Sequence, residues 1–262
     1  MTVTVKSLVG RWLDFAANDQ PASWYGAVKA SGIVGVVLDV MSPGWTAAYH
    51  NALAAGLAIM LFQGYYAPDW VNAADAAQRA EYAVSQAESV GYPKGAILWL
   101  DWEKVPTSVT AADAVIWINR WTQMVQSLGY VAGLYVGVPQ PLSPEALYFQ
   151  LILAHYWRSC SGDAAAVFRR GYQMVQTACN QTVAGVTVDV DTVGPDALGG
   201  LPPAAVPVAA SPSSDPAASL ADELAALTTR VGQLEAHVAA MQSAASALKS
   251  ALAAAGKALS GS

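Results

Sequence analysis

The sequence predicts an α/β chain: a small, irregular (β/α)8 barrel of the TIM type, then a proline-rich linker, then an α-helical coiled coil. Three observations predict it. Short apolar runs alternate with amphipathic stretches through residues 1–198, proline and serine crowd residues 199–219, and a strict heptad stripe fills residues 220–256.

The apolar runs fall at 11–15, 33–40, 57–64, 96–102, 131–137, 151–157, 172–177 and 186–193. The helical stretches between them fall at 21–31, 46–55, 73–90, 111–128, 144–149 and 164–170. Strand–helix alternation at this spacing implies a parallel sheet, and eight repeats imply that it closes into a barrel. The later helices are short, and none is evident between 177 and 186, so the second half of the barrel is expected to be irregular. An open doubly wound sheet is the rival architecture, but no glycine-rich phosphate turn follows the first strand.

Residues 199–219 include Gly-Gly-Leu-Pro-Pro-Ala-Ala-Val-Pro and Ser-Pro-Ser-Ser-Asp-Pro. Such a composition builds no core and reads as a semi-extended spacer. Beyond it, Leu224, Val231, Val238, Ala245 and Leu252 occupy heptad position a, and Leu220, Leu227, Leu234, Met241 and Leu248 occupy d. So narrow a stripe is the seam of a coiled coil and not the broad face of a docked helix. The seam would run about 50 Å at the α-helical rise. Arg230 at g and Glu235 at the following e are placed to pair across chains. Valine at a with leucine at d favours a dimer, while the alanine and methionine leave a trimer open.

Bulk properties exclude several classes. The 262 residues are 54% hydrophobic and 12% charged, with a formal net charge of −6. Acidity argues against a nucleic-acid partner. No apolar run approaches the roughly 18 residues of a membrane span. The start of the sequence lacks the charged, apolar and small-residue succession of a signal peptide. His50, His155 and His237 are scattered, and Cys160 and Cys179 form no CxxC pair. Neither a metal site nor a cofactor is expected.

The chemistry centres on Gly95-Ala-Ile-Leu-Trp-Leu-Asp-Trp-Glu103. It begins as an apolar strand and ends in two carboxylates. Residues two apart in a strand share a side, so Asp101 and Glu103 face one way and Trp102 faces the helices. Other acids recur at strand ends: Asp14, Asp39, Asp189 and Asp191. In a closed barrel the first and eighth strands are neighbours, and the fourth faces them across the mouth. Asp14, Asp101, Glu103 and Asp189 then share one acidic bowl. Crowded carboxylates do not all ionise easily, so one pKa should rise, as a general acid requires. Glu103, the longest and outermost, is assigned as proton donor. Asp39 is expected instead to bond loop amides, as strand-end aspartates commonly do.

Aromatic residues gather at the same strand ends: Tyr65, Tyr66, Tyr135, Tyr156 and Trp157. Rings beside carboxylates suit a sugar cleft, where pyranose faces stack on rings and hydroxyls bond to acids and amides. The alternative is that the rings are barrel packing. Gln63 and Gln176 would supply the amides. The expected substrate-binding set is Asp191, Gln63, Tyr65, Tyr135, Trp157 and Gln176.

These residues resemble the family-25 glycoside hydrolases, lysozymes of bacteria and phages, and their glycoside-hydrolase-like relatives in actinobacterial and phage proteins. The matches span about residues 8–198. They are Asp14 closing the first strand, Asp101-Trp-Glu103 on the fourth, residues 151–157 as the sixth, Gln176 on the seventh, and Val188-Asp189-Val-Asp191, similar to the family's closing Val-Asp-x-Asn. The resemblance implies hydrolysis of β-1,4 bonds in peptidoglycan. Glu103 would be the acid, Asp101 would orient the substrate's acetamido group, and Asp14 and Asp189 would shape the site. The chain departs from the pattern in Phe-Ala-Ala-Asn-Asp-Gln after Asp14 and in its short later helices.

Cys160 and Cys179 follow the sixth and seventh strands at one rim, either bridged or free and buried. Two functional readings remain. One is a virion protein of a phage tail or surface that cleaves or binds cell-wall glycan at the bacterial surface. It would self-associate through Leu220–Leu252 and contact other virion proteins. The other is a catalytically inactive glycan-binding or structural virion protein on a coiled-coil stalk.

Overall fold

A computed structural model describes residues 2–15, 20–64 and 75–208. Tyr65 and Tyr66, the second half of the predicted linker and the whole heptad stripe lie outside the described residues. The chain opens with β1 (Val3–Ser7) and enters the barrel with β2 (Gly10–Phe15), α1 (Ala22–Ala30), β3 (Gly35–Asp39), α2 (Trp45–Ala54) and β4 (Ala58–Gln63). It continues through α3 (Asp75–Ser89), β5 (Ile97–Trp102), α4 (Ala111–Ser127), β6 (Val131–Val136), α5 (Pro144–Phe149) and β7 (His155–Arg158). It closes with β8 (Met174–Val183), β9 (Val186–Val193) and β10 (Pro203–Pro207). Strands β2 to β9 form the expected eight-stranded barrel, each bonded to the next and β9 to β2.

Two of the helices start where side chains satisfy their free amides. Thr110 and Asp113 form a reciprocal capping box at α4. Ser143 caps α5, with Pro144 at its first position. The expected helix over 164–170 is absent. Residues 164–167 are irregular and 168–170 form a turn, and the stretch is tied instead to its neighbours. The Phe168 amide bonds to Pro144 O, and the Arg170 guanidinium bonds to Ala154 O and Asp196.

The barrel is mixed, whereas the sequence reading expects all strands parallel. β9 runs antiparallel to both β8 and β2. No helix separates β8 from β9, only Ala184 and Gly185, both at positive φ (48° and 81°). Positive φ at both central residues is the two-residue hairpin turn whose twist suits paired strands. A second difference lies in the predicted linker. Residues 203–207 form β10, antiparallel to β1 along its length and to the start of β4 at Ile59. Proline at both ends of β10 is compatible with a strand lying outside the ring.

Strand parity splits the core in two. Outward residues such as Leu13, Leu38, Leu61, Leu98, Leu100 and Leu134 pack against the helices. Inward residues fill the barrel: Trp12, Val37, Met60, Ile97, Trp99, Trp157, Met174 and Val193. Two of the three tryptophans fit because a glycine faces each, Gly35 against Trp12 and Gly133 against Trp99. A Cβ on Gly133 would stand 2.2 Å from the Trp99 ring. This apolar plug is the floor on which the acids stand.

Candidate active site

Parity places the acids. Trp12 and Asp14 share the inner side of β2, and Trp99 and Asp101 that of β5, with Glu103 one step beyond the strand end. Trp102 faces outward, buried against Trp117 of α4 with ring centroids 5.8 Å apart. On β9, Asp189 pairs with Asp14 and Asp191 pairs with Trp12, so Asp191 lies one layer deeper. Asp14, Asp101, Glu103 and Asp189 therefore line one pocket of about 150 Å³, with Tyr135, Trp157, Gln176, Phe15 and Phe62. The predicted convergence is present.

Gln176 is the hub of this bowl. Its Nε2 donates to Asp14 Oδ2 at 2.7 Å and to Asp189 Oδ2 at 3.4 Å. Its Oε1 accepts from the Tyr135 hydroxyl and from the Cys160 amide, both at 3.0 Å. The Asn180 amide donates to Asp189 Oδ1 at 2.7 Å. One side-chain amide thus bridges two acids from different strands while its own oxygen is fully engaged. Glu103 stands at the rim, with Lys104 Nζ 3.3 Å from its Oε1. Gly137 lies against it: a Cβ there would stand 2.3 Å from Glu103 Cβ and 2.6 Å from Oε2.

Crowding and burial raise the pKa of Asp14 to about 8. Removal from water contributes most, then the charge of Asp189, then more weakly that of Glu103, against a lowering from the Gln176 bond. Asp191 is pushed well above the carboxylate range, by burial first and then by Asp14. The rise expected from crowding thus falls on the inner acids. Burial also raises the Tyr135 hydroxyl, with help from Glu103, Asp101 and Asp14. It stays a donor at neutral pH.

Two predicted binding residues stand elsewhere. Gln63 follows the inward Phe62 and so faces the helices. Its Oε1 accepts from Trp121 Nε1 at 2.8 Å, and its Nε2 donates to Arg79 O at 3.0 Å. It does not reach the bowl. Asp191 is fully buried and accepts from Trp157 Nε1 at 2.8 Å, so it supports a lining ring from behind. Tyr65 lies outside the described residues. Tyr156 is buried among the helices, its hydroxyl bonded to Leu147 O. Asp39 does what was expected, accepting from the Met41 and Gly64 amides at 2.9 and 3.1 Å. Phe15 and Phe62 are lining residues that the sequence reading missed. Phe62 was recoverable from the alternation of Ala58, Met60 and Phe62. Phe15 carried no signal, because its parity points outward.

Cys160 and Cys179 are joined in a disulfide, Cα atoms 6.1 Å apart. The only trio of described residues whose ligand atoms lie within 4.8 Å of one another is Cys160, Cys179 and Asp189, and its sulfurs are bonded to each other. Among the described residues, the bowl's acids do not draw together into a cage for one cation. No described helix is long and apolar enough to cross a membrane.

Solved structures share this architecture. Tat-secreted Rv2525c of Mycobacterium tuberculosis, in complex with L-tartrate, has 18% identity and a TM-score of 0.54, over 71% of this chain and 96% of that one. An uncharacterized protein of B. stearothermophilus has 17% identity and a TM-score of 0.55, over 70% and 95%. The catalytic domain of endolysin ply40, from bacteriophage P40 of Listeria monocytogenes, has 17% identity and a TM-score of 0.51, over 71% and 94%. At these identities the likeness is one of fold. No curated protein sequence matches the chain. The model of the Rv2525c-like, glycoside hydrolase-like domain matches residues 39–196, more than half the chain, and runs from the end of β3 past β9. With its mixed barrel and an acid bowl built around the Asp101–Glu103 strand, the chain belongs to the Rv2525c-like glycoside hydrolase-like family.

Proposed function

We propose that this chain is a phage virion protein, of tail or surface, whose barrel hydrolyses β-1,4-linked cell-wall glycan at the bacterial surface. The observation that carries the glycan reading is the convergence of Asp14, Asp101, Glu103 and Asp189 on one bowl beside Tyr135 and Trp157. Rings and acids together match a polymer with apolar sugar faces and hydroxyl edges. Glu103, at the rim, gives its proton to the leaving oxygen as the bond from C1 breaks. It then takes a proton from water, whose oxygen ends on C1. Asp101 orients the acetamido group. Asp14, protonated near neutrality, and Asp189 hold the floor of the bowl through Gln176.

A second reading has its own support. The ion pair of Lys104 with Glu103 engages the rim acid, which favours a barrel that binds glycan without cutting it. One assay separates the two. The protein and its Glu103→Gln variant are incubated with actinobacterial peptidoglycan. New reducing ends from the parent alone support hydrolysis; binding without cleavage by both supports the second reading.

The virion placement rests on the heptad stripe, which suits a multimeric particle protein contacting other virion components. Light scattering should show an oligomer that is lost when residues 220–262 are removed; a monomer at micromolar concentration sinks the coiled coil. Mass spectrometry of purified particles should detect the chain, and its absence sinks the virion role.

A further inference from the structure

We propose that the Cys160–Cys179 disulfide is a positioning element of the acid bowl, holding two backbone amides on Gln176 and Asp189. The bond joins the segment after β7 to the middle of β8. Its plainer role would be a staple between neighbouring segments, which needs no special place. This one lies against the acids: the two sulfurs and an Asp189 carboxylate oxygen fall within 4.8 Å of one another. Each cysteine also carries or adjoins an amide engaged in the bowl. The Cys160 N–H donates to Gln176 Oε1 at 3.0 Å. The N–H of Asn180, next to Cys179, donates to Asp189 Oδ1 at 2.7 Å.

The ladder explains why a covalent link matters there. Pairing between β8 and β9 is irregular between Ala178 and Gln181. Within that break, Asn180 takes φ 54°. A bulge turns an amide away from the ladder, here onto Asp189. Regular sheet bonds do not fix residues 179 and 180, so the bond to Cys160 does. The chain of contacts is short: disulfide, Cys160 amide, Gln176, then Asp14 at 2.7 Å. Around Asp14 stand Asp189 and Asp191 on β9, Asp101 and Glu103 at the end of β5, and Tyr135 on β6. Losing the clamp lets Gln176 and Asp189 move and water reach Asp14.

The proposal concerns the bowl of the glycan reading, but its test does not need activity. The full chain, with ¹³C-labelled aspartate, is titrated by NMR beside a Cys160→Ala/Cys179→Ala variant, with near-UV circular dichroism reporting the fold. The Asp14 carboxyl, near pH 8 in the parent, is expected to titrate at least one pH unit lower in the folded variant, because hydration returns. An unchanged midpoint in a folded variant overturns the proposal. Should the variant not fold, the parent is titrated after reduction by dithiothreitol. That dithiol passes two electrons and two protons to the cysteines and becomes a cyclic disulfide. Loss of the fold in both forms makes the bond a staple and also overturns the proposal. A lowered midpoint with no glycan cleavage by either protein sustains the positioning role and counts against hydrolysis alone. Cleavage by both with one shared midpoint removes the positioning role alone.

Discussion

Asp14 and Asp189 are direct partners across the antiparallel β2–β9 ladder, bridged by the Gln176 side chain. Two acids from the first and last barrel strands thus face each other at the seam where the barrel closes. Their repulsion adds to burial in holding a proton on Asp14 at neutral pH.

That proton makes stability depend on pH. The folded pKa of Asp14 is about 8, above the ordinary aspartate value of 3.8. Between those values the folded chain binds more protons at this group than the unfolded chain, so stability falls as pH rises from about 4 to about 8. Below that window both states are protonated and there is no penalty. Asp14→Asn keeps an acceptor for Gln176 and removes the titration. It should be more stable than the parent at pH 8, by on the order of a few kcal/mol, and close to it at pH 4. Urea unfolding at both pH values checks this; equal stability at pH 8 would refute the assignment.

Gly137 tests the placing of Glu103. Alanine there needs the space of Glu103 Cβ and Oε2, so the carboxylate must shift. A misplacement near 1 Å costs about 100-fold in rate when geometry is the catalyst. Gly137→Ala should therefore lose cleavage at least tenfold further than it loses glycan affinity. Reducing-end release beside a pull-down on the same polymer measures both.

Gln63 should prove structural. Gln63→Leu leaves Trp121 Nε1 buried without its acceptor, a cost of about 1–3 kcal/mol. Glycan binding should stay within a factor of two. A lowered Tm with unchanged binding fits the structure; weakened binding with unchanged Tm contradicts it.

At Asp191 two substitutions should part company. Asp191→Asn keeps an acceptor for Trp157 Nε1 and removes a group that burial holds protonated. It should match or exceed the parent's stability at pH 8. Asp191→Ala strands the indole N–H and opens a hole, and should be less stable by about 1–3 kcal/mol. Thermal unfolding of the pair at pH 8 decides, and identical values would show that the bond to Trp157 contributes nothing.

Much of this was legible from residues alone, because alternation carries it. Asp101 and Glu103 share the inner side with Trp99, and Asp14 follows Trp12, so the bowl's acids could be read by counting in twos. The same count places Gln63 outside once Phe62 is known to be inside; amide chemistry suggested a role that parity forbids. The direction of β9 was not legible, since Val-Thr-Val-Asp-Val-Asp alternates equally well either way. Only Ala184-Gly185 between valines marked the reversal. β10 escaped because Pro203 and Pro207 resemble spacer residues, and an edge strand tolerates them. The pKa rise at Asp14 was not legible, because its largest cause is burial, which depends on packing and not on the order of residues.

The pairing of β1 with β10 has a mechanical consequence. Val3 lies opposite Pro207, and the Val208 amide bonds to Thr2 O. Tension drawing residues 2 and 208 apart therefore meets the rungs one after another, like a zip, instead of shearing them all together. The β1–β10 pairing should therefore part at low force, and the ring from β2 to β9 closes without either strand.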